Sequence, residues 1–282
     1  MNACIRFGTC SWNYPSWVGL VYSEPQRRAA AYLREYSQKY DTVEIDSWFY
    51  KIPNPREVAD YLAQVPPSFR FTCKVPQELT LTHLRGKAGA AIGVVNPSFL
   101  SPELFEQFLE VIEPMLPKID AIMFEFEYLN RDKMPSLEAF LKKLDDFLAA
   151  MGERGKHLPL AIESRNKNYL TAAYFSFLRE RHLIPIFSEK LYLPHIYDLY
   201  RQYKDSIDTD VVIRLLGGDR TEIENKTNKQ WNTIVEPKPD KEAIVTMARD
   251  ITHRGHMVTI NVNNHYEGSA PLTIKAMQKM LH

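Results

Sequence analysis

The chain has 282 residues, 45% of them hydrophobic and 25% charged, an ordinary balance for a globular protein and a poor one for a disordered, collagenous or coiled-coil chain. Its 35 basic and 35 acidic residues cancel, which argues against tight non-specific binding to nucleic acid or an anionic membrane, since both need a positive surplus; a local basic cleft stays compatible with that balance. No run approaches the ~18 consecutive apolar residues of a membrane span, and three cysteines without a Cys-x-x-Cys pair indicate neither a structural zinc site nor a disulfide framework. The opening Met-Asn-Ala-Cys-Ile-Arg-Phe-Gly reads as the approach to a first strand and not as a leader. A reducing, cytoplasmic location is the expectation.

In chain order, Ile5–Thr9 predicts a first strand, and Leu33, Tyr36 and Tyr40 recur at helical spacing after it. Thr42–Asp46 is a second strand, followed by a short helix after Pro55, and Phe69–Val75 is a third. A loop around residues 79–100 leads to a helix with Ser101 as its N-cap and Pro102 in its first turn. Ala121–Glu125 is the fourth strand, and the helix after Ser136 lines up Leu137, Phe140, Leu141, Leu144 and Leu148. Leu158–Glu163, Ile184–Phe187, Val211–Leu216 and Met257–Val262 complete eight strands, and a last helix opens near Ser269 and Pro271. The polar stretch 219–232 has no apolar periodicity and reads as an extended loop after strand seven.

Strands spaced by helices imply right-handed βαβ units and a parallel sheet. Eight of them in this length predict an α/β chain folded as a single (β/α)8 TIM-type barrel over residues 1–282. An open doubly wound sheet is the competing architecture, but the Gly8 turn lacks a G-x-G-x-x-G fingerprint and no Walker A pattern occurs. In a closed barrel the first strand pairs with the last.

Barrel enzymes carry their site at the C-terminal ends of the strands. Period-two alternation puts Glu44, Lys74, Glu125, Glu163 and Arg214 on the face shared with the small residues Thr42, Thr72, Ala121, Ala161 and Val212, and Arg165 follows at the same mouth. Three acids and three bases there point to a ligand site, while the same balance would also serve a structural ion-pair network. Trp12, Tyr14 and Tyr50 are candidates to stack on a ligand, although most aromatics in these loops suit lid and core packing. His83 and His265 are the histidines near predicted mouths, too few for a histidine-built zinc site. No metal site is predicted; magnesium on Glu44, Asp46 or Glu125 is conceivable without a spacing motif. Gly217, Asn263 and Asn264, with Arg214, form a candidate anion site between strands seven and eight, against a plainer reading in which the glycines make a tight loop that the asparagines cap.

These residues resemble a known family. Gly8-Thr9-Cys10-Ser11-Trp12-Asn13-Tyr14 with Trp17 and Gly19, Val43-Glu44-Ile45-Asp46-Ser47-Trp48-Phe49-Tyr50, Phe71-Thr72-Cys73-Lys74 with Leu81-Thr82-His83, Glu163-Ser164-Arg165, Arg214-Leu215-Leu216-Gly217, and Asn263 to Pro271 are similar, in order, to the motifs of the domain of unknown function 72 family, also called YecE-like. The resemblance runs from residue 5 to near the C-terminus and implies a TIM-type barrel without implying a reaction. Asp46 stands where that family often has Asn, and Leu216 where it often has His.

The expected function is therefore a hydrolase-type enzyme with a small or oligomeric anionic substrate, a phosphorylated or sugar-phosphate compound among the candidates. Glu44 and Glu163 would be the acid/base pair, placed within ~10 Å of each other, and Lys74, Arg165 and Arg214 would hold the anion. No cofactor is indicated by the sequence. The alternatives are a non-catalytic module that binds nucleic acid or a metabolite, and an interaction protein whose mouth charges only pair with one another.

Overall fold

The computed structural model describes residues 4–84 and 93–281. Eight parallel strands form one sheet: β1 (Ile5–Thr9), β2 (Thr42–Ile45), β3 (Arg70–Lys74), β4 (Ile119–Glu125), β5 (Leu160–Glu163), β6 (Ile184–Lys190), β7 (Val211–Gly217) and β8 (Val258–Val262). The hydrogen-bonded order is β1-β8-β7-β6-β5-β4-β3-β2, so β1 lies beside β8 in parallel register from Ile5↔Val258 to Thr9↔Val262. The expected pairing of first and last strand is present, and the sheet curls into a nearly closed barrel. The part of the expected 79–100 loop from 85 to 92 lies outside the described residues.

The remaining gap, between β1 and β2, is bridged by a side chain. The Tyr36 hydroxyl accepts the Thr9 amide at 2.9 Å and donates to the Thr42 carbonyl at 3.1 Å. A phenol thus joins the two strands where a ladder bond would otherwise run. Gly8 lets them approach: a Cβ there would lie 2.2 Å from the Thr42 carbonyl oxygen.

Helices fill the crossovers: α1 (Ala29–Tyr36), α2 (Pro55–Leu62), α3 (Pro102–Ile112), α4 (Leu137–Lys156), α5 (Ala172–Glu180), α6 (Ile196–Tyr203), α7 (Arg220–Thr227), α8 (Lys241–His253) and α9 (Ala270–Leu281). Several of their starts are set by polar residues in the sequence. Asn54, Ser101 and Ser136 each accept a first-turn amide, from Glu57, Leu104 and Ala139.

The segment 219–232 departs from expectation, because α7 occupies most of it. Asp219 accepts the Glu222 amide as N-cap, Arg220–Glu224 and Lys226–Glu222 pair at i,i+4, and Asn228 ends the helix in the left-handed region. Only Ile223 and Thr227 are buried within it, so the apolar periodicity that reveals longer helices is missing. Trp231 then packs inward, its amide donating to the Ser16 hydroxyl.

Two buried clusters divide the strand faces as alternation requires. Val43, Ile45, Phe71, Ile122, Phe124, Ile213 and Leu215 pack outward beneath the helices. Ala121, Met123, Ala161, Ile184, Ile186 and Val212 form a separate apolar waist inside the barrel. Below the waist, the skipped register at Phe71/Thr72 frees Asp120, which pairs with Arg6 at 2.5 Å and with Arg70 at 3.7 Å. Above it sits the layer of charge described next. Among the described residues no helix is long and apolar enough to cross a membrane.

Candidate functional site

Glu44, Lys74, Glu125, Glu163, Arg165 and Arg214 converge above the apolar waist, as their places at the strand ends predict. Arg214, in β7, is the hub. Its Nε and Nη2 meet Glu44 at 2.9 and 2.7 Å, and its Nη1 reaches Glu125 at 2.7 Å and Glu163 at 2.5 Å. Lys74, at the end of β3, lies 2.5 Å from Asp46, 2.9 Å from Glu125 and 3.9 Å from Glu44. Arg165 lies 3.0 Å from Glu125 and 2.8 Å from Glu163, and Ser188 donates to Glu163 at 2.7 Å. Asn261 lies beneath, donating to Thr72 at 2.9 Å.

Burial and charge act against each other at Glu44, Lys74, Glu125 and Arg214. Burial pushes the Glu44 carboxyl up from its ordinary value, against the pull of Arg214 and Lys74. Burial would also raise Glu125, but the adjacent Lys74, Arg165 and Arg214 hold it well below the usual carboxylate range. Lys74 and Arg214 are raised because their carboxylate neighbours outweigh their desolvation. The two carboxylates pushed apart are therefore Glu44 and Glu125.

Glu44 and Glu163 share one guanidinium, so the pair expected within ~10 Å is brought together. Both are nevertheless almost wholly buried, at 0% and 1% exposure. The carboxylates that reach solvent are Glu125 and Asp46, whose side chains are 18% and 38% exposed. They share the Lys74 ammonium.

Arg214 already serves three carboxylates, through four N–H···O bonds. Around it the plainer reading of the β7–β8 loops describes the contacts. Gly217, at φ +79°, packs so closely on the following loop that a Cβ would lie 2.2 Å from the His265 carbonyl oxygen. Asn263 accepts the His265 amide, and Asn264 accepts the Ala270 amide at the start of α9. Trp12 is core and not ligand-facing: it is 3% exposed, its indole donates to the Ala29 carbonyl and its ring packs edge-on against Tyr61. Tyr14 is half-buried, with its hydroxyl pKa pushed up to about 12 by burial, whereas Tyr50 stands 63% exposed.

Lys190 was missed by the sequence reading. It ends β6, and among the described residues it makes no ion pair. Burial and the nearby Arg165 lower its pKa. It also borders a cavity of about 350 Å³ that continues past Gly218 to Tyr197 and Tyr266. The signal was available, because Lys190 directly follows the Ser188-Glu189 end of the strand. Helix α7 was missed as well; its Glu224 lies 3.2 Å from His265 and so ties the segment after β7 to the β8 loop.

A parallel β/α barrel with charged groups gathered at the C-terminal ends of its strands has the layout of the TIM-barrel class, in which ligand sites occupy that end. The chain belongs to the family described as protein of unknown function DUF72, which it matches over residues 6–282. It is 26% identical to the UPF0759 protein YecE of Escherichia coli K12 over 141 residues, 50% of this chain and 44% of the relative. It is also 26% identical to the UPF0759 protein YunF of Bacillus subtilis over 153 residues, 54% of this chain and 48% of the relative. These alignments span about half the length of either protein. A DUF72 family protein from Enterococcus faecalis superposes with TM-score 0.70 at 20% identity, covering 99% of this chain and 95% of the other. One from Thermotoga maritima superposes at 0.67 and 20% identity, covering 98% of each. These likenesses establish the barrel fold.

Proposed function

We propose that the protein is a hydrolase-type enzyme that binds a small anionic substrate, of the sugar-phosphate kind, at the C-terminal mouth of the barrel. The observation that carries this reading is Lys190, a partly buried cation at the mouth that makes no ion pair among the described residues, while Lys74, Arg165 and Arg214 are all matched. A buried charge needs a counter-ion, and a bound anion would supply one. Lys190 therefore takes the anchoring role that the sequence assigned to Lys74, Arg165 and Arg214. Glu125 and Asp46, open to solvent and joined through Lys74, are the carboxylates placed to meet substrate. Glu44 and Glu163 become the buried counter-ions that position Arg214 and Arg165.

In this reading Glu125 stays ionised across the neutral range and stabilises positive charge developing on the substrate, as one carboxylate of a glycosidase pair does. Tyr14 and Tyr50, which follow β1 and β2, would offer ring faces to a sugar.

The test has two arms. Thermal-shift titration with phosphate and simple sugar phosphates should stabilise the wild type and leave Lys190→Met unshifted. A panel of chromogenic glycosides and phosphorylated glycosides should be turned over by the wild type and at least a hundredfold more slowly by Glu125→Gln. Equal anion shifts in the wild type and K190M would overturn the anchor. Absence of hydrolysis across the panel would overturn the reaction class.

A further inference from the structure

We propose that Glu189, His195 and Asp240 form a binding site for a borderline first-row divalent cation, of the zinc or cobalt type, at the rim of the barrel. The three side chains come from separate elements. Glu189 is the penultimate residue of β6, His195 immediately precedes α6 and Asp240 immediately precedes α8. One ligand atom from each lies within 4.8 Å of the others. His195 Nδ1 and Glu189 Oε1 are 2.9 Å apart. Metal–donor bonds of about 2.0–2.2 Å put neighbouring donors about 3–4 Å apart, so side-chain adjustments would close the set around one ion.

The surroundings orient the donors as metal sites require. The second oxygen of Glu189 accepts the Ile196 amide at 3.0 Å, and the Tyr266 hydroxyl donates to Asp240 at 2.5 Å. The His195 ring stacks on Tyr197, with centroids 5.2 Å apart and planes 11° from parallel. Glu189 is 8% exposed, yet its partners are an imidazole and one backbone amide, and among the described residues no lysine or arginine lies within ion-pairing distance. Two carboxylates and a neutral imidazole carry a formal charge of about −2, which a dication neutralises. One nitrogen and two oxygens suit zinc or cobalt better than magnesium, which favours an all-oxygen shell with several waters. The three face the same cavity of about 350 Å³ that Lys190 borders, leaving space for water or a substrate oxygen to complete the coordination.

The site rests on its own residues and stands whatever reaction the mouth performs. The test is titration of the full chain, stripped with chelator, with Co2+ followed by its visible absorption and with Zn2+ followed by calorimetry. One equivalent should bind. His195→Ala and Asp240→Asn should each weaken binding at least tenfold, while His157→Ala, at a distant surface histidine, should leave it unchanged. H195A changes an exposed side chain, and its melting temperature verifies folding. Wild-type binding no tighter than that of H195A, or an equal loss in H157A, would overturn the proposal.

Discussion

Arg214 and Glu44 lie 170 residues apart in the chain and meet inside the barrel through two N–H···O bonds of 2.9 and 2.7 Å. Both are almost fully buried, so this fork is the best-shielded contact of the charged layer. Its geometry fixes the guanidinium plane and aims the remaining Nη1 at Glu125 and Glu163.

Arg214→Met should be severely destabilising. It removes the shared cation from three carboxylates, and breaking a buried ion pair from one side costs about 3–5 kcal/mol. Urea unfolding measures the loss. Arg214→Lys should fall between wild type and R214M, because an ammonium keeps the charge without the planar fork. A loss below about 1 kcal/mol in R214M would mean that the carboxylates find other partners or protonate readily.

Acid should weaken the fold partly through Glu125. Its carboxyl is held well below the ordinary range by Lys74, Arg165 and Arg214, against the effect of burial. A depressed folded-state pKa means that the unfolded chain binds more protons, so the contribution is complete above the unfolded value of about 4.3 and is lost as pH falls toward the folded value. Melting temperatures between pH 7 and pH 3 should decline less steeply in Glu125→Gln than in the wild type. Parallel declines would remove Glu125 as a source of acid sensitivity.

Tyr36→Phe isolates the bridge between β1 and β2. The ring and its packing stay, while the Thr9 amide and Thr42 carbonyl each lose a partner. Orphaned buried groups of this kind cost about 1–3 kcal/mol. Chemical denaturation gives the total, and hydrogen exchange should show the Thr9 amide losing protection before the β7–β8 ladder does.

Asp219→Ala tests the helix that the sequence pattern concealed. Losing an N-cap costs about 1 kcal/mol, and Asp219 caps α7 through the Glu222 amide. Exchange should quicken in residues 220–227 and leave the strands unchanged. Uniform exchange across both would contradict a local capping role.

The barrel was legible in the sequence because its signals are local. Strand alternation separates Glu44 from Val43 and Ile45, and the resulting faces correspond to the two buried clusters. The convergence of Glu44, Lys74, Glu125, Glu163, Arg165 and Arg214 followed from strand direction alone. Which carboxylate meets solvent was not legible, since it depends on the depth at which each strand ends. Trp12 looked like a stacking residue because a loop tryptophan carries no mark of whether Ala29 and Tyr61 will enclose it. Helix α7 escaped because its stability comes from a cap and surface pairs, which leave little hydrophobic period. The Glu189, His195 and Asp240 cluster has no motif spacing, because it is assembled across α6 and α8.

The ion pairs of Arg6 and Arg70 with Asp120 occupy the strand-start end of the cylinder, beneath the buried apolar waist. Under the proposed function, a ligand would then approach the charged layer from the strand-end side, and a product would leave by the doorway its substrate used. Entry and exit would then compete. Under the proposed function, a bulky product that lingers would block the next encounter, and turnover would be sensitive to product accumulation.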